Sequence, residues 1–248
     1  MSDSQDATSP RPVAVHPSDA RSAARTQAAT EWLFAAAAVL ALTLLFALVN
    51  WHWLQVNVVT YGWDRMDHLI TSLVYNDMVR SPSAQTPFNL LAYSSYYPPL
   101  VHFGIVALYR LFGVSEDVAP FVNVFYLAGL LASVWAITRR LAGRWTALLA
   151  AILAGMFPMF FAMSRYLYLD FALTAGVTLA VALLLYTERF QRRGMALWFG
   201  LSLGLAFLIK WTTAAFLIGP LVYIIWRSAV VQTLFCQPRL LLPRWGAL

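Results

Sequence analysis

Charge is scarce in this chain. Of its 248 residues only 11% are Asp, Glu, Lys or Arg, against about 25% in an ordinary soluble domain, which excludes a water-facing surface over most of the molecule. Cysteine occurs once, as Cys236, so an intramolecular disulfide is excluded and nothing more follows from it. Lysine also occurs once, as Lys210. There is no CxxC pair, no HExxH, no P-loop and no Rossmann glycine pattern, so soluble nucleotide chemistry has no evident site.

What the chain has instead is apolar length. It is 60% hydrophobic, with a mean hydropathy of +0.66, the composition of an all-α integral membrane protein with membrane lipid as its first partner. The net charge of +6 does not point to nucleic acid. The basic residues lie in short loops between apolar runs, which is the topology signal of membrane helices.

Residues 1–30 are rich in Ser, Ala, Pro, Asp and Arg, without an apolar period, and read as a disordered cytoplasmic tail. The polar lead is too long for a signal peptide, and the run after it exceeds an h-region of about 7–15 residues. The transmembrane module is expected over 31–227. Trp32–Val49 is the first span, with Trp51 and Trp53 placed as interfacial aromatics. Val118–Thr138, Trp145–Met163 and Phe171–Thr187 follow. Met195–Trp226 is apolar except for Lys210 and is too long for one pass, so it divides at Lys210 into two short ones. That makes about six spans, with a short tail over 228–248.

Arginine gives the orientation. Arg139, Arg140 and Arg144 share one loop, and Arg189, Arg192 and Arg193 another. Arg11, Arg21 and Arg25 lie in the tail, with Arg227, Arg239 and Arg244 after the last span. All four groups are cytoplasmic if positive loops stay inside. Pro98–Gly113 is shorter than the minimum of about 17 residues for a span, and it carries His102 and Arg110. Parity makes it an interfacial or re-entrant helix within a long first outer loop, about 50–119. Asp64, Asp67 and His68, then Ser164–Asp170, then Lys210 all fall on the outer side.

These are the candidate site residues. Asp64 and Asp67 are three apart, and Asp64 and His68 four apart, so on a helix all three share a face. They read either as a base or metal-binding carboxylate pair, or as a solvated helix start with Asp64 as N-cap. In Ser164–Asp170, Arg165 and Tyr168 would point the same way in a helical turn. They read as an anion clamp beside Asp170, or as a snorkelling arginine and a capping aspartate. Lys210 is either a phosphate-binding point charge or a snorkelling turn residue. Tyr93, Tyr96, Tyr97, Pro98 and Pro99 read as a groove for an acceptor or lipid chain, or as an interfacial belt followed by a helix start.

Taken in order, several motifs carry a likeness: Asp67-His68 in the outer loop, Tyr97-Pro98-Pro99-Leu100, Leu111-Phe112-Gly113, Arg140-Leu141-Ala142-Gly143, Ser164–Asp170, and Gly204-Leu205-Ala206-Phe207-Leu208-Ile209-Lys210. From Trp32 to Trp226 the chain resembles the N-terminal part of the GT-C glycosyltransferases, nearest the family 39, protein O-mannosyltransferase and aminoarabinose-transferase-like group. The resemblance implies inverting transfer of a sugar from a polyprenyl-phosphate-linked donor to a glycan, lipid or protein acceptor hydroxyl, on the non-cytoplasmic face of, most naturally, a bacterial plasma membrane. It places the base at Asp67, with Asp64 as the alternative. Substrate contacts would fall to His68, Tyr97, Arg165, Tyr168, Asp170 and Lys210. It specifies no cofactor, and a divalent metal stays open. The group often has Asp-Glu where this chain has Asp67-His68. It also carries more spans and often a C-terminal soluble domain, so the expectation is a truncated or split protein, or a fragment inactive in isolation because later spans would close the site. A transporter half and a non-catalytic membrane scaffold are the competing readings. The first predicts altered flux in an Asp67→Asn variant, the second tolerance of alanine at Asp67 and Arg165.

Overall fold

A chain this apolar can pair its amides in lipid only within helices or closed barrels, and every regular element among the described residues is helical. The computed structural model describes residues 17–56, 62–93 and 96–227. In order these form α1 (Pro17–Val56), α2 (Trp63–Arg80), α3 (Thr86–Ala92), α4 (Leu100–Phe112), a 3₁₀ turn (Ala119–Val122), α5 (Asn123–Ala142), α6 (Arg144–Met156), α7 (Pro158–Met163), α8 (Leu169–Tyr186), α9 (Arg193–Phe207) and α10 (Thr213–Trp226).

The breaks have local causes. Gly143 has φ +92° between α5 and α6, a conformation glycine takes without a Cβ penalty. Phe157 is extended, at φ −60° and ψ 123°, as the residue before Pro158 must be. The span expected over Trp145–Met163 is therefore two pieces, α6 and α7. The apolar stretch over 195–226 does divide at Lys210, which lies in the turn between α9 and α10. α1 begins at Pro17, so the helix reaches back into the stretch 1–30 that composition read as a disordered tail. Residues 1–16, 57–61 and 94–95, and the tail 228–248 with Cys236, lie outside the described residues.

Among the described residues three helices are long and apolar enough to cross a bilayer: Thr26–Val56 within α1, Ala119–Ala142, and Leu169–Tyr186. The other three expected spans fall on α6 with α7, on α9 and on α10, and each of those helices is shorter than the usual minimum of about 17 residues. The protein is an all-helical integral membrane protein. Its outward side chains agree: Leu33, Phe34, Leu40, Leu44, Leu45 and Leu48 of α1 are exposed, a continuous apolar face that water would penalise and lipid does not.

α5 is the hub. It packs on α1, α6 and α8, while α8 in turn packs on α9 and α10. α6 turns Ala147, Ala151 and Gly155 inward, all buried, a stripe of small residues that lets backbones close. A Cβ at Gly155 would lie 2.6 Å from the Phe46 ring of α1. α2 packs on α4, and α4 on the 3₁₀ turn, over a core of Leu69, Val101, Ile105, Leu108, Leu167 and Leu169.

The polar groups sort to two ends. α8 has 18 residues, about 27 Å at the helical rise, close to the roughly 30 Å of hydrocarbon in a bilayer. At its C-terminal end Glu188 meets Arg192 at 2.7 Å and Arg140 at 3.7 Å, and Glu31 pairs with Arg139. At its N-terminal end lies Asp170. The start of α5 lies there, where Asn123 Nδ2 donates to the Tyr166 carbonyl at 2.7 Å, and the starts of α2 and α4, the end of α1 and the α9–α10 turn gather with it, as the contacts below show.

Candidate functional site

Asp64 and Asp170 hold equivalent places. Each is the second residue of its helix, after the extended residues Gly62 and Tyr168 respectively. A carboxylate there is favoured by the helix dipole. Neither is the N-cap, so the capping role considered for both does not apply. The hydroxyl of Tyr168 lies against Gly62: a Cβ built there would be 3.0 Å from it. The start of α2 and the turn before α8 are therefore in contact, and share one end of the bundle.

Lys210 closes the arrangement. Its Nζ donates to Asp170 Oδ1 at 2.7 Å, with both side chains still partly exposed, at 22% and 54%. The same ammonium lies 6.0 Å from the centroid of the Tyr97 ring. Two hydrogen bonds fix the turn that carries it. The Leu100 amide, an orphan donor at the start of α4, is satisfied by the Leu208 carbonyl at 3.1 Å, and Trp211 Nε1 donates to the Tyr96 carbonyl at 3.0 Å. The Tyr97-Pro98-Pro99-Leu100 stretch is thus a dock for the lysine turn.

Tyr97 reaches in the other direction as well. Its ring meets His68 edge-on at 4.9 Å between centroids. His68 Nδ1 is 3.3 Å from His102 Nε2, and both imidazoles are buried. Burial holds His68 below its ordinary range, with Asp67 and Asp64 pulling the other way. Burial also pushes His102 down to about 3. The Tyr97 hydroxyl is held above its ordinary range by burial and then by the Asp64 charge. Asp64 and Asp67 are themselves exposed.

The expected residues thus fall into two sets. Asp170, Lys210, Tyr97 and His68 form one continuous run of contacts, and Asp64 and Asp67 stand beside it. Arg165 belongs to another. Its Nε donates to Asn50 Oδ1 at 2.8 Å, Asn50 Nδ2 donates to Ser164 Oγ at 2.9 Å, and the guanidinium stacks over Phe161 at 3.6 Å and Trp53 at 5.3 Å. Residues 164–168 are turn and extended backbone rather than helix, so the shared helical face expected for Arg165 and Tyr168 does not form. Tyr168 turns to Gly62 instead. Among the described residues no group of three His, Cys, Asp or Glu side chains converges for a metal.

Three residues that the sequence left without a role are built into this end. His102 backs His68. Asn50, 2% exposed at the end of the first span, links Arg165 to Ser164. Arg65 is 3% exposed, and the charges of Asp117, Tyr166 and Tyr168 oppose the effect of its burial. A polar side chain directly after a hydrophobic run was the only signal for Asn50, and the (i, i+3) spacing to His68 the only one for Arg65.

The family model described as dolichyl-phosphate-mannose-protein mannosyltransferase matches residues 97–242, more than half of the chain. The chain belongs to that family. No curated protein and no solved structure matches it. Membership makes it a membrane glycosyltransferase of the GT-C type, mannosyltransferase-like, acting in general terms between a lipid-linked sugar and a glycan or protein acceptor. The matched segment opens at Tyr97, the residue that joins Lys210 to His68. It takes in Asp170 and Lys210, whereas Asp64 and Asp67 precede it.

Proposed function

We propose that this mannosyltransferase-family protein transfers a sugar from a polyprenyl-phosphate-linked donor to an acceptor hydroxyl, with inversion, at the end of the bundle where α2 and α8 begin, and that this end faces away from the cytoplasm. The observation that carries the reading is the Lys210–Asp170 pair, docked by Tyr96–Leu100 beside the two carboxylates of α2. The arginine-rich turns lie at the other end of α8, as an inside-positive topology requires.

The chemistry divides among these residues. The acceptor hydroxyl loses its proton as its oxygen attacks the sugar C1, and the bond from C1 to the phosphate oxygen breaks on the opposite face. A carboxylate placed to take that proton contributes roughly 10²–10⁴-fold. Asp67 has that role here, with Asp64 the alternative. The Asp64 charge acts on the Tyr97 hydroxyl, and those of Asp67 and Asp64 both act on His68. Negative charge grows on the leaving phosphate, where a fixed cation is most effective. Lys210 supplies it, released from Asp170 towards the phosphate, and Arg165 contributes from the neighbouring network. Tyr97 joins the two sides, its ring meeting His68 and lying near the Lys210 ammonium, and Tyr168 lies against Gly62 at the start of α2.

The test is transfer from a polyprenyl-phosphate sugar by the membrane-reconstituted protein, with Asp64→Asn and Asp67→Asn made separately. Loss of about 10²-fold or more in one of them, with donor binding retained, identifies the base. Full transfer in both, or product with retained anomeric configuration, overturns the mechanism.

A further inference from the structure

The end of the bundle away from the proposed site has an unusual turn. Glu188, Arg189 and Phe190 have φ values of 50°, 59° and 66°. Non-glycine residues visit this left-handed region singly as a rule, at roughly 1–2 kcal/mol each, and three in succession persist only where the surroundings enforce them. Those surroundings are clear. Thr187 is fully buried; its hydroxyl donates to the Leu184 carbonyl at 2.7 Å and accepts from the Phe190 amide at 3.2 Å. Its carbonyl accepts from the Arg192 amide at 3.0 Å. Phe190 packs on Phe199 of α9.

The strained turn shapes a cavity of about 360 Å³, lined by Arg140, Leu185, Glu188, Arg189, Tyr223 and Arg227 among others. Its cations come from three places: the end of α5, the turn itself and the end of α10. Glu188 is the one carboxylate in the lining and already faces Arg140 and Arg192. Among the described residues Arg189 and Arg227 meet no carboxylate. Three guanidinium groups thus line a cavity that holds a single carboxylate, beside Leu185, Ile224 and Tyr223. Guanidinium forks suit phosphate oxygens, and a basic pocket between membrane helices beside an apolar wall suits a phospholipid.

We propose that this cavity binds an anionic phosphate group, that of an acidic phospholipid headgroup with its chains along α10, and that the left-handed turn exists to present Arg189 to it. The site is separate from the proposed transfer site and does not depend on its chemistry.

The experiment is thermal unfolding of the full chain in a neutral detergent, with added phosphatidylglycerol, phosphatidylcholine, or inorganic phosphate at matched concentration. Phosphatidylglycerol is expected to raise the melting temperature by about 2–4 °C or more, a shift typical of modest stabilisation for a chain of this size. Phosphatidylcholine should not. A rise with inorganic phosphate alone would support the anion site and assign it to soluble phosphate. Arg189→Gln and Arg227→Gln should abolish the response, whereas Arg193→Gln, which removes the same charge outside the cavity lining, should keep it. Arg189→Gly separates site from scaffold: it relieves the positive φ, so the protein stays folded while the lipid response is lost. An equal response in wild type and the Arg189 and Arg227 variants, or an equal effect of phosphatidylcholine, overturns the proposal.

Discussion

The ammonium of Lys210 stands 2.7 Å from the carboxylate of Asp170, forty residues away in the chain. Both side chains are partly exposed, and ion pairs of that kind contribute about 0–1 kcal/mol. The pair is therefore too weak to explain why the only lysine of the chain interrupts an apolar stretch. Its position makes sense if the ammonium is required for binding.

Lys210→Ala should accordingly lower sugar transfer by about 10²-fold or more, while the melting temperature moves by no more than a few degrees. Lys210→Arg should recover part of the activity, since charge is kept and geometry altered. A large loss of stability with unchanged activity per folded molecule would show that the lysine is structural.

Gly62→Ala probes the contact that holds the two helix starts together. Gly62 has an ordinary extended backbone, at φ −85° and ψ 159°, so alanine causes no backbone strain there. Its Cβ would nevertheless lie 3.0 Å from the Tyr168 hydroxyl, and one of them must move. The single variant should lose activity. Tyr168→Phe removes the oxygen, and the double variant should recover what the glycine change alone cost. Additive losses, measured as transfer rates in the four-protein cycle, would mean that the two residues do not meet.

Much of this architecture was legible in the sequence. Apolar runs located the long helices because lipid leaves the backbone no alternative, and Lys210 marked a real break because an ammonium ends an apolar helix in lipid. Ser164–Asp170 was legible as a polar turn, yet its internal geometry was not. Helical spacing put Arg165 beside Tyr168, but the Asn50 amide and the Trp53 and Phe161 rings draw Arg165 one way and Gly62 leaves room for Tyr168 the other. The missing Cβ at Gly62 and the pairing of His68 with His102 are contacts between distant segments, and no local period encodes them. The break before α7 could have been read from Pro158, whose neighbour is driven to extended backbone.

His68 and His102 give the protein a sensitivity to acid. Both imidazoles are neutral in the folded state, held below their ordinary range by burial, and His102 is pushed down to about 3. An unfolded histidine titrates near about 6.5. Between those values the unfolded chain binds protons that the folded one refuses, so stability is full above about pH 6.5 and falls as the pH is lowered towards 3. The melting temperature in detergent should drop steeply from pH 7 to pH 4.5. His102→Gln, which removes one titrating ring, should flatten that drop. An acid limb identical in wild type and variant would show that carboxylates, not this pair, set it.

Gly155 tests the packing of the spans themselves. In α6 it faces the Phe46 ring of α1, and an added Cβ would lie 2.6 Å away, closer than real atoms approach. The ring belongs to a cluster with Leu127, Leu131 and Phe171, so it cannot swing aside without disturbing α5 and α8. Overpacking of this kind costs about 1–3 kcal/mol, against a helix-propensity gain of about 0.8–1.0 kcal/mol for replacing glycine by alanine. The steric term wins, and Gly155→Ala should lower the melting temperature. Gly200→Ala in α9, where nothing lies within 4 Å of the added atom, has only the propensity term and should raise it. If both substitutions shift stability in the same direction, α1 and α6 are not packed as closely as Phe46 and Gly155 place them.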